Sequence, residues 1–201
     1  MARLPLTLPP VDGLVIGLFG GSFNPPHAGH RAIAEAALKR LGLDGVWWLV
    51  SPQNPLKDPA ETSDFDQRFA ATQAIARHPR FIVSGLEGEI GTRTTSGFLK
   101  RLGPVLARGR FVWIMGADSF AGLDKWNDWR RLPQTLPLAV FDRPGVTMAA
   151  LASPAARLLQ RWRVPEAEAA MLPFFAPPAW AFLTLPLRNE SSSALRRAAR
   201  S

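Results

Sequence analysis

The chain has 201 residues, a net charge of +8, no cysteine and an apolar share of 47%, so disordered and fibrous classes are excluded and one domain with a full core is expected. The lack of cysteine removes disulfides, thiolate metal sites and thiol nucleophiles and fits a cytoplasmic protein. No uninterrupted apolar stretch is long enough for a transmembrane helix, and the basic balance suits polyanionic partners, whether nucleotides or nucleic acid.

Met1 to Asp12 holds one arginine and three prolines; its apolar run is too short and broken for a signal peptide, and it reads as a loose N-terminal extension. Val15 to Phe19 is a strand. It passes into Gly20-Gly21-Ser22-Phe23-Asn24-Pro25-Pro26-His27-Ala28-Gly29-His30, and a helix follows over 31–41 with Ile33, Ala37, Leu38 and Leu41 at helical spacing. Further on, Val46 to Val50 reads as a strand, 64–77 as a helix capped by Ser63 or Asp64, and 81–84 as a strand. A helix over 96–108 is strained at Gly103-Pro104, and 111–115 is a nearly pure apolar strand. A Trp-rich helical segment, a strand over 138–141, a helix over 147–163 interrupted at Pro154, a loop over 164–178, a strand over 181–185 and a helix over 191–200 complete the chain. Repeated β-α units imply an α/β, Rossmann-like, doubly wound parallel sheet with helices on both faces. The domain runs over 13–201, with no internal repeat.

In such sheets ligands bind beyond the strand C-termini at the switch point, where the Gly-Gly-Ser-Phe loop lies. Strand, tight loop and helix leave backbone N–H groups at the helix start, which welcome an anion, and His27 and His30 flank that spot as further donors. The loop is neither of the common phosphate loops. It lacks the terminal Lys-Ser/Thr of one and the G-x-G-x-x-G spacing of the other.

The loop instead resembles the His-x-Gly-His signature of the nucleotidylyltransferase superfamily. Further segments in the right order sharpen the resemblance to the bacterial nicotinate mononucleotide adenylyltransferase family. They are Trp-Trp-Leu-Val-Ser-Pro-Gln-Asn-Pro-Leu-Lys (47–57), Trp-Ile-Met-Gly-Ala-Asp-Ser (113–119), Trp126 with Trp129, Phe-Asp-Arg-Pro-Gly (141–145) and Ser-Ser-Ser-Ala-Leu-Arg (191–196). The resemblance implies transfer of the adenylyl group of ATP to nicotinate mononucleotide, with Mg²⁺ bound mainly through the triphosphate and no protein metal ligand. It assigns His27, His30 and Arg196 to catalysis. Gly20, Gly21, Ser22, Phe23, Gly116, Asp118, Ser191, Ser192 and Ser193 would bind ATP. Asn54, Lys57, Thr95, Trp126 and Arg143 would bind the mononucleotide. Neither a nucleic-acid nor a membrane partner is implied. The family's Tyr-Thr, with Asp-Thr two residues on, is here Thr94-Thr95-Ser96-Gly97-Phe98, a departure at the nicotinate end. Nicotinamide mononucleotide or phosphopantetheine as acceptor, and a non-catalytic nucleotide-binding protein, are the alternatives.

Overall fold

The computed structural model describes residues 9–52, 63–92 and 94–185. Their strands are β1 (Val15–Gly21), β2 (Gly45–Val50), β3 (Phe81–Ser84), β4 (Arg110–Gly116), β5 (Leu138–Phe141), β6 (Arg163–Val164) and β7 (Trp180–Leu183). They form one sheet in the order β3-β2-β1-β4-β5-β7-β6, with every pair parallel.

Side chains alternate faces along a strand, and here both faces are buried. Ile16, Leu18, Trp47, Leu49, Phe111, Trp113 and Met115 pack on one side; Phe19, Val46, Trp48, Val50, Val112 and Ile114 pack on the other. The first face is covered by α3 (Leu86–Glu89), α4 (Thr95–Leu106), α5 (Ala117–Ala121), α6 (Arg131–Thr135), α7 (Thr147–Leu151) and α8 (Pro154–Leu159), through residues such as Leu86, Phe98, Leu102, Phe120, Leu132, Ala150 and Leu159. The second is covered by α1 (Ala28–Arg40), α2 (Phe65–Ile75) and a 3₁₀ segment, Glu166–Phe174. The expected doubly wound α/β architecture is therefore present. The chain winds outward from β1 to β3 and restarts at β4 on β1's other side, so the switch point lies between the C-terminal ends of β1 and β4.

Several boundaries differ from the sequence reading. Helix α1 starts at Ala28, one turn before the expected Arg31, because His27 serves as its N-cap. Helix α4 runs through Gly103-Pro104, with Leu102 and Val105 held in the core on either side. The Trp-rich stretch is not one helix: α5 gives way to a 3₁₀ turn, Leu123–Lys125, and Asp128 at φ 48° breaks the chain before α6. The break at Pro154 is as expected, since Ser153 Oγ accepts from the N–H of Ala156 at 3.1 Å and Pro154 opens α8. Residues 164–178 are not simply loop; Ala169 and Leu172 bury against the second face and hold the segment in 3₁₀ turns. Val11 and Asp12, placed in the loose extension, are anchored: Val11 is buried and Asp12 is paired with Arg108. The helix expected over 191–200 lies outside the described residues.

Two stability measurements test this packing. A Cβ on Gly20 would lie 2.5 Å from Cζ2 of Trp113, a ring that is 1% exposed and has little room to retreat. Gly20→Ala should therefore lower the unfolding free energy by about 1–3 kcal/mol, read as an earlier denaturant midpoint with unchanged slope. Glu87 on α3 is half-buried, its carboxyl makes no hydrogen bond among the described residues, and burial pushes it up to about 7 from an ordinary 4.5. Between those values the folded chain keeps a proton that the unfolded chain has released, so this group makes stability fall as pH rises. Glu87→Gln should be more stable than the parent at about pH 8 and lose that advantage near pH 5, in paired urea titrations.

Candidate active site

Past the C-terminal end of β1 the loop is set by aromatic packing. Phe23 adopts φ 44° and buries its ring 5.4 Å from that of Phe19, 5.2 Å from that of His30 and 5.3 Å from that of Trp48. A side chain on Gly21 would meet the Phe23 ring at 3.0 Å, so this glycine makes room for the protein's own aromatic floor. Phe23 itself is 2% exposed and forms part of that floor.

On that floor the two histidines build a capping box. The N–H of Gly29 donates to His27 Nδ1 at 3.1 Å, and the N–H of His27 donates to His30 Nδ1 at 3.2 Å. This corrects the expectation of open backbone donors at the helix start: two of them are bound to imidazoles. An Nδ1 that accepts a hydrogen bond leaves the proton of the neutral ring on Nε2, so the network assigns Nε2–H as each ring's donor. The ring centroids are 3.8 Å apart.

The C-terminal ends of β4 and β5 bring in the next residues. Arg143, just beyond β5, donates from Nη1 to Asp118 Oδ2 at 3.0 Å and places Nη2 3.3 Å from His27 Nε2. With the proton of His27 on Nε2, that second approach sets two N–H donors side by side, an arrangement suited to one shared anionic oxygen. Gly116 closes β4 against this pair. A Cβ there would lie 2.5 Å from Asp118 Oδ1 and 3.1 Å from Arg143 Cδ.

The remaining sequence candidates are spread around this centre. Thr95 is the first residue of α4, whose cap is Thr94: its Oγ1 accepts from the N–H of Gly97 at 3.2 Å. Trp126 and Trp129 are both partly buried at the margin of the first core face, and Arg130 lies over the Trp129 ring at 5.1 Å. Asn54, Lys57, Ser191, Ser192, Ser193 and Arg196 lie outside the described residues.

Sequence reasoning missed Arg68. Although charged, it sits on the inner face of α2 at 2% exposure. Its guanidinium donates to the carbonyls of Ser63 (2.9 Å), Ser22 (2.7 Å), Ser51 (2.8 Å) and Pro52 (2.6 Å). The available signal was its helical spacing from Phe65, Phe69 and Thr72, which puts it on the face turned inward. Among the described residues no group of three or more His, Asp or Glu could hold a metal ion. No described helix is long and apolar enough to cross a membrane.

Comparison with known proteins agrees with the fold. The cytidylyltransferase-like family model matches residues 18–198. A Rhizobium meliloti protein named "probable nicotinate-nucleotide adenylyltransferase" is 47% identical over 92% of this chain and 98% of its own length. A Cereibacter sphaeroides protein of the same name is 49% identical over 93% of this chain and 98% of its own. Among solved structures, Plasmodium falciparum nicotinic acid mononucleotide adenylyltransferase complexed with NaAD superposes with a TM-score of 0.69 at 15% identity, covering 92% of this chain and 83% of that one, a likeness of fold. The chain thus belongs to the cytidylyltransferase-like family, among the nicotinate-nucleotide adenylyltransferases.

Proposed function

We propose that this protein transfers the adenylyl group of ATP to nicotinate mononucleotide, forming nicotinate adenine dinucleotide and pyrophosphate. The observation that carries the reading is the meeting of the His27 and His30 imidazoles, with centroids 3.8 Å apart, and the Arg143 guanidinium, 3.3 Å from His27 Nε2, at the β1–β4 switch point. The names of relatives 47–50% identical to this chain support the choice of acceptor.

The chemistry asks little of the protein beyond this. An oxygen of the mononucleotide phosphate attacks the α-phosphorus of ATP, the bond to the bridging oxygen breaks, and pyrophosphate leaves with the electron pair. The nucleophile is already ionised near neutral pH, so no protein base is needed. Two polyanions repel, and alignment with charge neutralisation is the work to be done. His27 and His30 donate to the triphosphate, Arg143 shares the oxygen at His27 Nε2, and Asp118 orients Arg143. Gly116 lets adenosine approach β4, and Gly20, Gly21 and Ser22 carry the phosphate loop. Ser191, Ser192, Ser193 and Arg196 supply a second clamp on the triphosphate by virtue of their residue types. Asn54, Lys57, Thr95 and Trp126 take the mononucleotide, with Trp126 as the stacking face for its ring. Among the described residues one carboxylate, Asp118, contacts the site's cations, which fits Mg²⁺ carried on phosphate oxygens rather than in a protein cage. When bound, the ion lowers the charge of the triphosphate.

Pyrophosphate release, followed with ATP and each of nicotinate mononucleotide, its amide and phosphopantetheine, tests the assignment; the nicotinate acceptor should turn over fastest. Exclusive use of another acceptor, or no turnover with any, would overturn it. His30→Ala should lower kcat by about 10²-fold or more, the scale for losing one donor to developing charge, while circular dichroism still reports a folded chain.

A further inference from the structure

Among the described residues Arg68 makes no hydrogen bond to the proposed triphosphate donors, yet its position bears on the reaction. Its four acceptors lie on three separate stretches. Ser22 is where the chain leaves β1 for the histidine cap. Ser51 and Pro52 are where it leaves β2, just before Asn54 and Lys57 in the sequence. Ser63 is where it enters α2. β1 and β2 are neighbours, and the N–H of Ser51 also donates to the carbonyl of Gly21 at 3.0 Å. One planar fork thus holds the exits of both adjacent strands.

All four acceptors are backbone carbonyls, and among the described residues no carboxylate pairs with Arg68. Among the described residues an acidic influence on it comes from Asp64, whose carboxylate accepts from the N–H of Asp66 at 3.0 Å as the cap of α2. A buried cation without a contacting anion is expensive, and an apolar side chain would fill the space more cheaply if packing alone were required. What the guanidinium supplies, and an apolar residue cannot, is a fixed distance and angle between two loop exits.

We infer that Arg68 is a positioning residue for the transfer step: it locks the loop after β1 to the loop after β2, so that the two substrates meet in line. This rests on the proposed function, which gives the first loop to ATP and the second to the mononucleotide. Each loop can still bind its own ligand when the lock is lost, but their mutual alignment slackens, and displacements near 1 Å lower turnover by about 10²-fold. The effect therefore belongs in kcat rather than in either KM.

The test compares the parent chain, Arg68→Lys and Arg68→Ala in the pyrophosphate-release assay with ATP and nicotinate mononucleotide, with thermal melts of each. Lysine keeps the charge but not the fork. Arg68→Lys should lose roughly 10- to 100-fold in kcat with both KM values within about 3-fold of the parent. Millimolar methylguanidinium should restore part of the turnover of Arg68→Ala, whereas sodium chloride at equal ionic strength should not. Near-parental kcat in Arg68→Lys, a loss confined to KM, or both variants unfolded at the assay temperature would overturn the inference; the last would make Arg68 a stability residue alone. A parent without turnover is a different outcome, because it removes the proposed reaction itself.

Discussion

At the start of α1, two backbone N–H groups are bound to the Nδ1 atoms of His27 and His30, and the rest of the site follows from that commitment. A helix start normally offers its orphan donors to solvent or to an anion. Here side chains absorb them, and the donor capacity moves outward to Nε2, one ring farther from the backbone. The rings can hold this pose because Phe23 and Phe19 pack on His30 from one side, while the Arg143 guanidinium meets His27 from the other. The helix cap and the proposed anion site thus share the same two side chains. Loss of either ring removes a cap and a donor together.

The sheet explains why these pieces meet at all. With β1 central and the winding direction reversing at β4, the segments that follow β1, β4 and β5 emerge side by side. His27, Asp118 and Arg143 are separated by many residues in sequence and come within hydrogen-bonding reach because three parallel strands end at one level. Gly116 and Gly20 leave room at this edge, the first for Asp118 and Arg143 and the second for the Trp113 ring. Close approach at the site and dense packing below it therefore share their glycines.

Much of the fold was legible because a parallel sheet buried on both faces writes its strands as unbroken apolar runs; Val46 to Val50 and Phe111 to Met115 could hardly be anything else. Elements whose stability is tertiary were not legible. α3 has two glycines in or beside four residues, and it is held by Leu86 in the core. β6 is two residues long and exists only because β7 pairs with it. The start of α1 was misplaced because Pro25, Pro26 and Gly29 read as loop, whereas the capping imidazole outweighs them. The loop that carries the histidines stands out by its residue types and by its resemblance to the His-x-Gly-His signature, but the contact between His27 and Arg143 depends on strand order, which no local pattern encodes. Arg68 was hidden for the opposite reason. Its partners are main-chain carbonyls, and a carbonyl leaves no mark in a sequence.

One cluster lies at the opposite end of α1 from the imidazoles. Glu166 Oε1 accepts from Arg40 Nη2 at 2.7 Å and from both the N–H and the hydroxyl of Thr184, at 2.8 and 2.7 Å, while Arg40 Nη1 donates to the carbonyl of Thr184 at 2.8 Å. Thr184 is thereby moored just beyond β7. A knot of charges with no proposed part in the reaction thus rivets the exit of β7 to the end of the helix whose start carries the imidazoles, and slack in it would tilt that helix against the sheet.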